Sequence, residues 1–356
     1  MKKTGQIILT IALISTLFLG CTKIDSNSDT NSLKQSLKSS SANLGKAMDA
    51  ITASPAFSIL TVDGGMMKST VSIADSGYDA YISLEQIKGI YDYKPAVKPD
   101  KWGVPLIRFF NKTADDNQMI VRMPLEKVKN PRLLRHFSPS DSTLTNNFAI
   151  AVSGYHNNYN NYHDFDYALA SGISVNNVVA GNLNINSVVS PAKGIHYSAQ
   201  YAFSGSYTAQ YKSNSGDTTV SEFTILENDN VLYQEKLLSI RNDTAHFGRE
   251  TQYMLTIGNV QIVKKSGNTK PEIYLNGILQ PNAIVTIIDV VPDPQASVCR
   301  KRDIQITFED GTTTTVSALI SSSVSNIKTL FESLHQVYFA AYIVDWIAYD
   351  IYYQRN

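Results

Sequence analysis

The chain is short of cysteine, tryptophan and charge. It has 2 Cys and 2 Trp, and only 17% of its 356 residues are Asp, Glu, Lys or Arg. Two cysteines cannot build a disulfide framework, so the body must be held by packing. The 31 acidic side chains balance the 31 basic ones, which excludes a polybasic nucleic-acid binder and an acidic tail protein, and no nucleic-acid partner is expected. A mean hydropathy of -0.14 is too low for a multi-span membrane protein, whereas 43% hydrophobic residues are too many for a disordered chain. Catalytic signatures are missing too: there is no Walker-type phosphate loop, dinucleotide-binding glycine fingerprint, His-Glu-x-x-His, Cys-x-x-Cys or Gly-x-Ser-x-Gly. No cofactor is implied and no reaction class is favoured. What the chain has in quantity is Tyr, 20 of them, with abundant Ser, Thr and Asn, the usage of a β-rich secreted protein.

The first residues read as an address. Lys2 and Lys3 precede a 13-residue apolar stretch, Ile7 to Leu19, broken only by Thr10, Ser15 and Thr16. A span needs about 20 apolar residues, so this stretch fits the hydrophobic region of a secretory signal. It ends Leu17-Phe18-Leu19-Gly20-Cys21, which resembles the lipobox of bacterial lipoproteins, Phe18 and Leu19 departing from the commonest residues of that pattern. The resemblance covers residues 1 to 21. It implies removal of residues 1–20 and transfer of diacylglycerol to the Cys21 thiol, with the membrane as partner through that N-terminal lipid. Two or three acyl chains, at about 0.8 kcal/mol per buried methylene, hold permanently where one would not. Loss of Lys2 and Lys3 leaves 29 basic against 31 acidic groups. Thr22 after the cysteine implies, by resemblance to sorted lipoproteins, the outer membrane. The scattered Asp25 and Asp29 form no acidic cluster, which favours the periplasmic face. Residues 21–41 read as a polar tether. With Cys21 lipidated, Cys299 stands alone in Val298-Cys299-Arg300-Lys301-Arg302 and reads as a structural cysteine beside a basic turn.

Leu33, Leu37, Leu44, Met48 and Ile51 recur at helical spacing. Ser39-Ser40-Ser41 weakens the middle of that face and Pro55 disfavours helix just before it, so a short helix is predicted at 42–53. Period-two patterning follows. Ala199, Tyr201, Phe203, Gly205, Tyr207, Ala209 and Tyr211 alternate with mostly polar residues, which predicts one long strand bent at Gly205. Ile304, Ile306 and Phe308 run into Asp310-Gly311; Tyr253 to Ile257 meets Gly258-Asn259; Ile273 and Leu275 meet Asn276-Gly277; Glu227 to Asn230 is another turn. Ala283 to Val291 is apolar enough for a central strand. Earlier strands are expected at Val71 and Ile73, at Ala80 to Leu84 and at Met119 to Leu125, with loops around Pro95, Pro99 and Pro105. The polar stretch Asn130 to Asn147 divides an N-terminal α+β region, 42–140, from an antiparallel region, 141–356, although a single domain over 42–356 stays open. Leu330, Leu334, Val337, Ala341, Val344, Ala348 and Ile351 predict a helix over 325–353, apolar on its other sides as well and therefore buried. Glu332, Asp345 and Asp350 speak against its crossing a membrane. The expected class is α+β and β-dominated: an antiparallel hairpin meander forming curved sheets, with a short N-terminal helix and a long buried C-terminal one.

Candidate sites are few. His156, His163, Asp164 and Asp166 lie within eleven residues of an Asn- and Tyr-rich segment and could ligate a divalent metal in a hydrolase, although a polar loop gives the same composition. His246, between Asn242 and Glu250, has acid and base neighbours but no nucleophile, and reads as loop. Asp345, on an apolar helix, needs a partner or a proton. Tyr201, Phe203, Tyr207 and Trp346 would line an apolar ligand site if the helix faces a cavity. The leading expectation is therefore a non-enzymatic envelope lipoprotein that binds a lipid or other apolar ligand. The alternative is a structural or interaction lipoprotein that contacts an envelope protein or a glycan.

Overall fold

A computed structural model describes residues 29–60, 80–94, 105–129, 143–161, 163–192, 194–242, 248–290, 301–335 and 339–355. The signal and Cys21, the expected strand at Val71 and Ile73, Pro95 and Pro99, most of the 130–147 segment, His246 and Cys299 lie outside them. The chain begins with helices α1 (Asp29–Ala53) and α2 (Pro55–Leu60), then β1 (Ala80–Ser83), α3 (Leu84–Ile87) and β2 (Gly89–Tyr93). A 3-10 turn at Leu106–Phe109 leads into β3 (Phe110–Ala114), β4 (Met119–Met123) and α4 (Leu125–Lys129). Seven long strands follow: β5 (Phe148–Asn161), β6 (Asp164–Val175), β7 (Val178–Ser190), β8 (Gly194–Phe203), β9 (Tyr207–Ser215), β10 (Thr218–Glu227) and β11 (Asn230–Arg241). After β12 (Arg249–Ile257), β13 (Val260–Lys265), β14 (Glu272–Leu275) and β15 (Ile278–Leu279), a second sheet forms from β16 (Ile284–Val290), β17 (Lys301–Thr307) and β18 (Thr313–Thr315). Helices α5 (Val316–Leu319), α6 (Val324–His335) and α7 (Phe339–Arg355) end the chain.

The large sheet is an open, 15-stranded meander in the order β15 to β4, then β2 and β3, with β1 paired to β5. All its pairs are antiparallel except β2 with β4. Both β1 and β4 join β5, so strands from either side of the 130–147 segment share one sheet. Tight turns set the register. Asn176-Asn177, Asn228-Asp229 and Asn276-Gly277 have positive φ at both central positions, the mirror-image turn that matches strand twist. The Asn176-Asn177 turn has no glycine and raises no hairpin signal in the sequence.

Three expectations need correction. Residues 199–211 are a hairpin, β8 and β9, rather than one bent strand, and the pair Tyr201↔Ala209 lies across it. A three-residue loop, Ser204 to Ser206, joins the two strands, and an odd loop keeps parity. Ala199, Tyr201, Phe203, Ala209 and Tyr211 therefore all still point into the core. Ala283 to Val291 yields β16, an edge strand of the small sheet with Ile284, Ile287 and Val290 exposed. A continuous apolar run cannot tell a central strand from a poorly covered edge. Helix α1 starts at Asp29, thirteen residues before the expected start at 42 and inside the expected tether.

The reason for the longer helix is where its serines lie. Leu33, Leu37, Leu44, Met48 and Ile51 are at most 1% exposed, and Ser40 falls on the same face, buried against the Gly258-Asn259 turn of β12 and β13. A small residue is required there, so the serine that costs helix propensity is the one that lets the helix seat. Helix α1 covers β11 to β13, α2 meets β7 and α6 lies over β8 and β9. Phe331 of α6 enters edge-on between Tyr211 and Phe223, its ring centre 5.6 Å and 5.7 Å from theirs. The Tyr197 hydroxyl donates to the Leu334 carbonyl at 3.1 Å, satisfying an acceptor at the end of α6. Across the predicted 325–353 span the described residues give two helices, α6 and α7. Leu330, Leu334, Ala341, Val344 and Ala348 are fully buried.

Gly258 has φ +59, and a Cβ there would run into the Ser40 side chain; Gly267 has φ +89, but a Cβ there meets no atom within 4 Å. Gly267→Ala should cost about 1 kcal/mol from backbone strain alone. Gly258→Ala should cost about 1–3 kcal/mol more, because it also overpacks the α1 contact. Urea unfolding of both variants measures the difference.

Candidate functional site

The Tyr155 to Tyr167 segment is the end of a hairpin rather than a polar loop. Its tyrosines alternate with polar residues, so Tyr155, Tyr159 and Tyr167 are buried while His156 and Asp166 face solvent. Of the four candidate metal ligands, the fold brings two together: His156 Nε2 lies 2.9 Å from Asp166 Oδ1. Asp164 instead accepts from Asn160 at 2.9 Å, and the His163 amide donates to the Asn161 side chain at 2.8 Å. Among the described residues no group of three or more His, Cys, Asp and Glu side chains is placed to hold a metal. The segment from Asn242 to Glu250 ends on β12, where Arg249 donates from Nη2 to Thr219 Oγ1 and to the Ser239 carbonyl, both at 2.9 Å. That guanidinium ties three strands together.

The four candidate ligand-binding aromatics are packed. Tyr201 is 0% and Phe203 4% exposed, their ring centres 4.9 Å apart. Tyr207 is half-buried, as is Trp346, whose ring lies 5.7 Å from that of Tyr342. The aromatic face is therefore the floor of the core. One polar atom on it lacks a hydrogen-bond partner, the buried Tyr201 hydroxyl.

The inward alternation of β5 and β6 builds the most chemically unusual cluster. Tyr155 and Tyr167 meet edge to face with ring centres 6.0 Å apart, and α7 lowers Asp345 onto them. Both hydroxyls donate to Asp345 Oδ1, at 3.0 Å and 3.1 Å. Asn157, 3% exposed, is two residues along β5 from Tyr155 and pairs with Tyr167 across the hairpin. Burial raises Asp345 to about 7, against the opposing pull of the two phenol donors. Burial first, and the neighbouring carboxylate second, push Tyr155 and Tyr167 well above the usual phenol range. Sequence reasoning pointed to Asp345 because a carboxylate on an all-apolar helix needs a partner; the partners could not be read, since they lie 190 and 178 positions away. One turn on, Asp350 Oδ2 accepts from the Ile107 amide at 2.9 Å and fastens α7 to the 3-10 turn. Chemically the cluster can hold one proton near neutrality. Its two hydrogen bonds fasten α7 to the sheet.

Comparison with protein-family models, with curated proteins and with solved structures finds no match. No described helix is long and apolar enough to cross a membrane.

Asp345 binds a proton more tightly in the folded chain, at about 7, than the unfolded carboxyl does at about 3.9. The stability it confers is complete below about pH 4 and is lost as pH rises towards 7, by about 4 kcal/mol at most. Asp345→Asn keeps an acceptor for both phenols but cannot ionise. It should match the wild type near pH 4, exceed it in denaturant midpoint at pH 8, and flatten the slope between the two. Denaturant melts across that range provide the check.

Proposed function

We propose that the chain is a lipid-anchored protein of the cell envelope that acts through its surface and contacts a neutral polar partner, a glycan or a protein. Cys21 is the acylated residue, and the body faces the periplasm from the outer membrane. The observation carrying this reading is the division of the large sheet. Its apolar face is covered by the chain's own helices, with Tyr201 fully buried beneath them. Its opposite face carries one register row, Asn184, Gln200, Gln210, Thr224, Gln234, Thr256 and Gln261, with no charged or aliphatic member across seven adjacent strands; Thr224 is buried and the other six are half-buried. Carboxamides both donate and accept, which suits hydroxyl-rich or backbone partners better than ions.

A photo-crosslinking residue at Gln210 should capture the same envelope component in repeated experiments. Gln200→Ala, Gln210→Ala and Gln234→Ala together should reduce its recovery about tenfold while leaving the thermal midpoint nearly unchanged. Scattered or absent adducts would remove the reading. Cys21→Ala should separately abolish acyl incorporation and release the chain from membranes.

A second reading, an apolar ligand under the helices, is favoured by the unpartnered Tyr201 hydroxyl. Solvent extraction of the purified protein should then release a stoichiometric amphiphile with a polar group that Tyr201 can reach, and Tyr201→Phe should lose it.

A further inference from the structure

One register row crosses the core face from Tyr155 on β5 to Ile273 on β14, and every member but one is hydrophobic and at most 6% exposed. The exception is Glu235, which stands between Phe223 on β10 and Leu255 on β12. Residues directly opposite each other in an antiparallel pair share a face, so this carboxylate points to the side of the core. A charge there is costly unless it is paired. The Tyr253 hydroxyl donates to Glu235 Oε1 at 2.7 Å. Burial first, and the Glu235 charge second, push Tyr253 and Tyr233 above the usual phenol range, so the carboxylate stands beside two protonated rings. No described cation pairs with it. Lys236, next in sequence, lies on the other face and reaches Glu222 at 2.9 Å, and Lys264, opposite Tyr253, donates to the Asn268 carbonyl.

The carboxylate is open on one side. Glu235 is half-buried, and Leu237, two residues along β11 and on the same face, is 48% exposed. The helical cover therefore ends between these two residues. Tyr253 lies opposite Leu237 and reaches back with its hydroxyl to Glu235, so its ring bridges the covered row and the open one. The chemistry at this rim selects a ligand. One carboxylate supplies too few oxygens for Ca2+ or Mg2+, and phenols that keep their protons add no anionic ligand. A guanidinium pairs best with both carboxylate oxygens at once, and Oε1 is already engaged by Tyr253. An ammonium needs only one oxygen. Its methylene stem can lie on Leu237 while its charge meets the Tyr253 ring.

We propose that Glu235 is the binding site of a primary alkylammonium group, with Tyr253 and Leu237 holding its aliphatic stem. The site lies on the core face and does not depend on the carboxamide row of the opposite face. The full-length chain is titrated with butylammonium, 1-butanol and butyrate by calorimetry, while the Leu237 methyl signals are followed by NMR. Butylammonium should bind one to one, shift those methyls and exceed 1-butanol in affinity by about tenfold or more, the worth of one charge-assisted hydrogen bond. Butyrate should not bind. Glu235→Gln keeps an acceptor for Tyr253 and should erase the margin over 1-butanol with the thermal midpoint nearly unchanged. Equal binding of butylammonium and 1-butanol by the wild type, or a margin that survives in Glu235→Gln, would overturn the assignment. If that variant does not fold, Leu237→Ser decides: it should weaken butylammonium about threefold or more, and an unchanged affinity counts against the site. Nα-acetyl-lysine amide and lysophosphatidylethanolamine separate a peptide source from a lipid one. Displacement of butylammonium by either supports the assignment, and displacement by neither overturns it.

Discussion

Everything in this molecule depends on covering one face of one sheet. Most strands of the large sheet present apolar side chains on one side, and an open sheet cannot fold that surface back on itself as a closed barrel does. Helices must cover it. Helix α1 covers β11 to β13, α6 covers β8 and β9, and α7 reaches β5 and β6 through Asp345. The apolar excess of the composition, the all-round apolar C-terminal helix and the tyrosine count are consequences of that requirement. Tyrosine suits such an interface because the ring fills volume while the hydroxyl satisfies a helix carbonyl, as Tyr197 does, or a carboxylate, as Tyr155 and Tyr167 do.

The same requirement explains why polar groups occur where they do inside. Asp345 is an expensive residue to bury, and its two phenol donors offset only part of the desolvation. A leucine would pack there without penalty but would place α7 less specifically, since apolar contacts have no direction. Two hydrogen bonds to one oxygen, plus the Asp350 bond to the Ile107 amide, locate the helix both along and around its axis. Ser40 does the opposite service on α1: it removes bulk so that a backbone turn can approach.

Much of the fold was legible. The spacing of Leu33, Leu37, Leu44, Met48 and Ile51 gave the buried face of α1 correctly, and the Gly258-Asn259, Asn276-Gly277, Asp310-Gly311 and Asn228-Asp229 turns all close hairpins. The errors share a cause: local patterns do not report what lies opposite. Ser40 of α1 looks unfavourable until the turn it accommodates is known. Ser204 to Ser206 preserves the alternation, so β8 and β9 read as one strand. β16 looks central because nothing local says that one of its edges has no neighbour. For the same reason Asp345 could be singled out while its tyrosines could not, and His156 and Asp166 could be grouped although the other two candidates face elsewhere.

The placement of α7 bears on how the chain can fold. Its carboxylate closes on tyrosines 190 and 178 residues earlier, and α7 is the last helix of the chain. A polypeptide that emerges N-terminus first therefore displays the aromatic floor of β5 and β6 long before its cover exists. Such late, non-local closure makes for slow folding and for an aggregation-prone interval. During that interval the exposed floor is a surface on which a holding chaperone could act, and truncation ahead of Asp345 would remove the carboxylate that closes on it.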